Sequence, residues 1–160
     1  MEGFEVKKKG NEMTFGEVID GIGKNLGVEL VDEGGAAAVQ VDGNPVILQM
    51  ADDDLLLIHA DIGEMPPENR DRIRAAAMEA NFLYQGTGGA TLAVDPHSGH
   101  LYLQKYNWLG RLDVEKAVTI LTRFADTVTL WKGLVAETLD HAPAAAADLP
   151  LPEPDHFMPV

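Results

Sequence analysis

From Met13 onward the apolar residues of this chain switch between helical and strand spacing, and each stretch predicts its own elements. Phe15, Val18, Ile19, Ile22 and Leu26 recur three and four residues apart, the single face of an amphipathic helix. Thr14 and Glu17 stand where a capping box needs them, Met13 and Val18 fit a hydrophobic staple, and Gly27 suits the stop. Strands follow. Ala36–Val41 and 45–50 flank Asp42-Gly43, a tight-hairpin signal, and Asp52-Asp53-Asp54 makes the turn into a third strand over 55–60. Leu55-Leu56-Leu57-Ile58 is apolar on both faces, so each side of that strand calls for cover.

Met65-Pro66-Pro67-Glu68 opens the second helix, since proline in the first turn forfeits no internal hydrogen bond. It is expected to run to about Leu83, with Ile73, Ala76, Ala77 and Ala80 on its inner face. Alanines bury little area but let another backbone come close, which suits helix pairing as well as packing on a sheet. Gly86-Thr87-Gly88-Gly89 reads as a helix stop with tight backbone packing. Two strands then form a hairpin about Asp95-Pro96 and Gly99, with Leu101 and Leu103 alternating against Tyr102 and Tyr106. Asp113 caps a long third helix reaching about Leu139, striped by Val114, Ala117, Val118, Leu121, Phe124, Ala125, Val128, Trp131 and Val135. The order is helix, three strands, helix, two strands, helix. Short turns between adjacent strands make this an antiparallel α+β layer, with five strands and three helices.

The 160 residues are one domain's worth. Residues 1–12 read as a flexible charged leader, 13–140 as the α+β domain, and 141–160 as a disordered tail. That tail holds five of the nine prolines and four consecutive alanines, too little to order itself. The net charge of −14 repels phosphate backbones and anionic lipid, which sets nucleic-acid and peripheral-membrane roles aside. It suits a partner with basic segments, though it also simply keeps a protein soluble. Without cysteine there is no disulfide, zinc–thiolate site or thiol nucleophile, which fits a reducing cytoplasm. The chain has no signal-peptide core and no apolar run of membrane-spanning length.

Catalytic chemistry finds little to work with. The glycine cluster follows a helix and precedes a strand, the reverse of a phosphate cradle, and Thr91 occupies the last position of Gly-x-Gly-x-x-Gly spacing. A calcium loop begun at Asp52 would place Gly63 where its glutamate belongs. His59, His97, His100, His141 and His156 form no metal-binding pair on a helix. His59, at the end of a strand, suits a satisfied edge histidine better than a catalyst, and Ser98, the one serine, lies in a turn. Tyr102, Tyr106 and Trp108 lack the basic groove of a base-stacking platform and read as sheet packing or interface. The expectation is a binding protein, with no catalytic residue, metal or cofactor.

What the pattern supplies instead is surplus apolar surface. Five strands have two faces and only three helices are available. An uncovered face needs a partner, and a two-fold dimer is the simplest, unless the long third helix covers one face alone in a self-sufficient monomer. Met78-Glu-Ala-Asn-Phe-Leu83, Gly86-Thr-Gly-Gly-Ala-Thr-Leu92, Asp95-Pro-His-Ser-Gly-His-Leu-Tyr-Leu103 and the Leu112-Asp113 opening of a helix containing Phe124 and Trp131 together resemble the class I type III secretion chaperones, the Tir chaperone family. The resemblance spans about Met13 to Leu139; the leader and tail fall outside it. It implies a cytoplasmic bacterial homodimer without enzymatic activity or cofactor. Such a dimer binds the N-terminal segment of a secreted effector in extended form and helps bring it to the secretion apparatus, the secretion ATPase among its candidate partners. By the same resemblance the dimer contact falls on Ile73, Ala76, Ala77, Ala80, Leu83, Leu92 and Val94. Effector contacts fall on Phe15, Ile19, Ile22, Val46, Leu48, Leu55 and Leu57. Each of these positions also reads as ordinary core, and for the first-helix residues the two readings weigh about evenly. The other reading is a non-catalytic dimeric adaptor with a folded partner.

Overall fold

Thr14 accepts a hydrogen bond from the Glu17 amide at 3.3 Å while the Glu17 carboxylate accepts from the Thr14 amide at 2.7 Å, so the first helix opens on the expected capping box. In the computed structural model, which describes residues 13–140, this helix (α1) covers Phe15–Leu26 and ends where Gly27 takes the left-handed conformation. Strands β1 (Ala36–Val41), β2 (Asn44–Asp52) and β3 (Leu55–Glu64) follow, then α2 (Arg70–Asn81), β4 (Thr91–Val94), β5 (His100–Trp108) and α3 (Val114–Asp140). The predicted leader and tail lie outside the described residues.

The five strands form one antiparallel sheet in the order β1-β2-β3-β5-β4. α2 carries the chain past β3 to the far edge, and β5 returns to fill the place between. Asp42-Gly43 makes the two-residue turn, with Val41 opposite Asn44. Bulges at Met50/Asp52 and Asp61/Gly63 shift the register of β3 on both sides.

One face of the sheet carries Ala37, Val39, Val46, Leu48, Leu56, Ile58, Leu101 and Leu103, all buried. Against it lie Val18, Ile19 and Ile22 of α1, Ile73, Ala76, Ala77 and Ala80 of α2, and Leu121, Phe124, Val128 and Trp131 of α3, in a single core. Buried polar groups tie the layers together. Asn44 donates to Thr129 Oγ1 at 2.7 Å and accepts from Lys132, fixing the first hairpin to α3. Trp131 Nε1 donates to the Gly86 carbonyl at 2.9 Å.

Two boundaries differ from expectation. The prolines do not lie inside α2, which starts at Arg70; Asn69 precedes it with its side chain turned away to the Thr138 carbonyl of α3 at 2.7 Å. At the other end α2 stops at Asn81, before the glycines, and Phe82–Gln85 make a tight turn in which the Gln85 amide donates to the Phe82 carbonyl at 3.3 Å. Leu83 and Tyr84 take left-handed φ of 51° and 57° there, and the Gly86 amide closes on the Ala80 carbonyl. The glycines serve the tight packing: the Gly86 carbonyl lies under Trp131 and Gly88 lies against Thr127.

Candidate interaction surfaces

Strand geometry decides what lies on the second face of the sheet, because alternate residues point to opposite sides. The register sets Leu57 opposite Tyr106, Leu55 opposite Trp108, His59 between Ile47 and Gln104, and Asp61 opposite Tyr102. None of these side chains is buried. The helices all join the core of the other face, so the cover that Leu55-Leu56-Leu57-Ile58 called for exists on one side only. Tyr106 is 55% exposed and Trp108 52%, beside the half-buried Leu55 and Leu57. The result is an apolar, aromatic strip across β3 and β5, with Ile47 one row further on. The His59 and Tyr102 rings lie tilted to one another beside it, centres 6.3 Å apart, and burial pushes the His59 pKa down. At the rim His100 Nδ1 meets Asp61 at 2.8 Å, and that hydrogen bond holds the imidazole above its usual value.

The two edges of the sheet differ as sharply. On β4 the Asn81 side chain behaves as a piece of a neighbouring strand: its Nδ2 donates to the Leu92 carbonyl at 3.0 Å and its Oδ1 accepts from the Leu92 amide at 2.8 Å. On β1 the Gly35 carbonyl accepts from Met50 of β2, so the alternation turns residues 36, 38 and 40 outward. Glu33 takes the Ala36 carbonyl, and among the described residues nothing pairs with the main chain of Ala38 or Gln40. That edge is open, and its outer-face side chains are the small Ala36 and Ala38 followed by Gln40.

A second apolar surface lies where α2 ends. Met78 and Phe82, four residues apart, face away from the alanine stripe, and Leu83 and Tyr84 follow; Phe82 is 67% exposed and Leu83 60%. Two non-glycine residues in the left-handed region cost on the order of 1–2 kcal/mol each, for side chains that touch little of their own chain.

The residues expected at effector and dimer contacts divide accordingly. Phe15, Ile19, Ile22, Val46 and Leu48 are buried in the core of the single chain, while Leu55 and Leu57 lie on the bare face. Ile73, Ala76, Ala77, Ala80 and Leu92 are likewise buried within the chain, Val94 is half-buried, and Leu83 is exposed. Spacing alone did not bring forward Met78, Phe82 and Tyr84, although the four-residue step from Met78 to Phe82 opposite the alanines was a usable signal. Tyr106 and Trp108 were noted, but their meeting with Leu57 and Leu55 depends on register. Among the described residues no group of three His, Asp or Glu could hold a metal ion, and no helix is long and apolar enough to cross a membrane.

The sequence profile of the Tir chaperone protein (CesT) family matches residues 17–132, well over half of the chain. This chain belongs to that family. The Tir chaperone fold is also what the solved structures show. The type III secretion chaperone SycH of Yersinia pestis, solved with a stable fragment of YscM2, is 18% identical with a TM-score of 0.59, covering 74% of this chain and 99% of its own. A chain of the ExsC–ExsE complex is 20% identical with a TM-score of 0.62, covering 74% and 90%. A chain of the HopA1–SchA chaperone–effector complex is 18% identical with a TM-score of 0.58, covering 77% and 93%. At such identities the likeness is one of fold. A comparison with curated protein sequences finds no match.

Proposed function

We propose that this Tir chaperone family member is a cytoplasmic type III secretion chaperone that acts by binding, as a homodimer, and holds the N-terminal segment of a secreted effector extended and export-competent. The observation that carries the reading is the bare sheet face. Tyr106 and Trp108 stand exposed beside the half-buried Leu55 and Leu57, and the same sheet ends, two strands on from β3, in an open edge at Ala38 and Gln40 of β1. An extended segment gains main-chain hydrogen bonds at such an edge and side-chain burial on such a face. The chain's net charge of −14 favours an effector segment with basic residues. That the neighbouring folds include chaperones solved with effector partners adds support of its own.

The dimer contact is proposed at the end of α2, on Met78, Phe82, Leu83 and Tyr84, continuing towards Val94. Burying four such side chains yields several kcal/mol at about 25 cal/mol per Å², and the strained Leu83–Tyr84 turn is what presents two of them. Ile73, Ala76, Ala77, Ala80 and Leu92 then support this surface from beneath.

The test pairs light scattering with binding to N-terminal segments of exported proteins encoded beside this chain. The expected result is a dimer of twice 17.3 kDa that binds one such segment in its unfolded form and ignores folded domains. A monomer that binds none of the segments overturns the proposal; a dimer that binds a folded domain alone points to the adaptor.

A further inference from the structure

Strand β5 outruns its neighbour. β4 begins at Thr91, opposite Gln104, while β5 continues through Lys105, Tyr106, Asn107 and Trp108. The chain entering β4 leaves that line because Gly88 and Gly89 both take left-handed φ, of 59° and 80°. Lys105 holds this loop off to the helix side, where alternation along β5 points it. Its ammonium donates to the Gly88 carbonyl at 3.3 Å, and a β-carbon on Gly89 would stand 2.9 Å from it. Beside the last residues of β5 the sheet therefore has a gap one strand wide.

Two hydrogen bonds fix what faces the gap. The Asp95 amide donates to the His100 carbonyl on the β4 side, and the Leu109 amide donates to the Asp54 carbonyl on the β3 side. The main chain of the even-numbered residues of β5 is thus turned to β4 and that of the odd-numbered ones to β3. Thr91 and Ala93 meet Gln104 and Tyr102. Among the described residues nothing meets the N–H and C=O groups of Tyr106 and Trp108. On β4 the outward groups of Leu92 are closed by the Asn81 side chain, so one edge is capped and the other is not. Unpaired strand groups are a template for another strand. The side chains of the same two residues are exposed aromatics on the bare face, with no charge or proline to guard them. On the helix side, Ala90, Ile120 and Phe124 are among the walls of a cavity of about 60 Å³ that Lys105 also lines.

We infer, from the extended-segment binding proposed above, that this gap takes a second stretch of effector main chain: a strand laid against Tyr106 and Trp108 in line with β4. Its alternate side chains lie on the two aromatic rings and, inward, towards Ala90 and Phe124. Only a polypeptide offers donors and acceptors at the strand repeat of about 7 Å. Charge narrows the choice of polypeptide. The turn Asp52-Asp53-Asp54 borders the Trp108 end through the hydrogen bond from Leu109, and its three carboxylates outweigh Arg111 just beyond. β2 and β3 hold no Lys or Arg, and Lys105 of β5 points inward. A segment that alternates apolar with small polar residues and ends in Lys or Arg fits this surroundings.

Amide NMR of the full chain tests the site with a defined probe, the capped heptapeptide Lys-Val-Thr-Val-Thr-Val-Lys. A copy N-methylated at every Val and Thr keeps the side chains and loses the donors. With the first peptide at about ten times its Kd, solvent exchange at the Tyr106 and Trp108 amides is expected to slow by about tenfold. The N-methylated copy is expected to leave it unchanged. Tyr106→Pro removes one donor from the gap, spares the bonds of Lys105 and Asn107 to β3, and should weaken the peptide by about fivefold. Should that variant not fold, the exchange rates of the wild-type chain decide alone. Exchange that stays fast at Tyr106 and Trp108, whether or not Ala38 and Gln40 are protected, overturns the inference, as does equal protection by the N-methylated copy. So does slow exchange at these two amides before any peptide is added, which would mean that a second copy of the chain already fills the gap. No effector enters the titration. Loss of this site with effector binding intact removes the β5 edge and spares the chaperone reading, whereas a chain that binds the peptide here and no exported segment does the reverse.

Discussion

Leu103 and Tyr102 are neighbours in one strand and live in different solvents. Leu103 is fully buried in the core, while Tyr102 stands half-exposed across from Asp61. The same division runs through Leu56 and Leu57 in β3. An antiparallel sheet with one covered face ordinarily turns polar residues to the other, so that each strand alternates cleanly. Here the alternation is broken by apolar residues that contribute little to the fold of their own chain. Burial explains one face, and association is what remains to explain the other.

The largest effects are therefore expected on the covered face. Leu103→Ala should cost about 2–5 kcal/mol of unfolding free energy by urea denaturation, since it deletes a fully buried side chain, whereas Leu57→Ala should cost under about 1 kcal/mol. Equal losses at the two positions would mean that the bare face is covered in the free protein. The reverse holds for binding. Trp108→Ala, with its indole half-exposed next to Leu55, should weaken an effector segment by about 2 kcal/mol, about thirtyfold in Kd, with an unchanged melting temperature. Calorimetry of the variant against the wild-type chain reads it directly.

Sequence periodicity reached the covered half of this molecule and stopped at the bare half. The capping box, the Asp42-Gly43 turn and the stripe from Ala117 to Val135 are local rules with local residues, and each stands where spacing placed it. Phe15, Ile19 and Ile22 were legible as an apolar face, but an apolar face bound to its own core and one lent to a client are written identically. What separates them is which elements meet, and that follows from the β3–β5 pairing, a contact between residues about forty to fifty positions apart. The strained turn at Leu83 and Tyr84 was hidden for a different reason. Leucine and tyrosine do not favour the left-handed region, so no propensity marks the place, and the glycines just beyond it mislead.

The contrast between the two edges gives a smaller effect. Asn81→Ala removes both hydrogen bonds that close β4 at Leu92 and should cost about 1–2 kcal/mol, with faster amide exchange at Leu92. Asn81→Asp keeps one acceptor and should recover part of the loss. On β1, exchange at Ala38 and Gln40 should be fast from the outset and slow down when an effector segment binds, because their outward amides then gain strand partners.

The smallest effect is the most specific to the bare face, where two histidines titrate in opposite directions. Burial lowers His59 from 6.5, so its neutral form is favoured on folding; that stability is complete above 6.5 and declines as pH falls towards the folded midpoint. The Asp61 hydrogen bond raises His100 from 6.5, so its contribution is complete below 6.5 and is lost as pH rises through the higher folded midpoint. The two losses fall on opposite sides of 6.5, so together they give at most a shallow stability maximum near that pH, and a global melting curve does not assign either side to its histidine. NMR titration of each imidazole separates them: His59 should report a midpoint below 6.5 and His100 one above it. Asp61→Asn should return His100 towards 6.5 and leave His59 where it was. An effector segment laid over Leu57 and Tyr106 takes further water from the neighbouring His59, so its midpoint should fall again on binding, while a segment that binds elsewhere would leave it still.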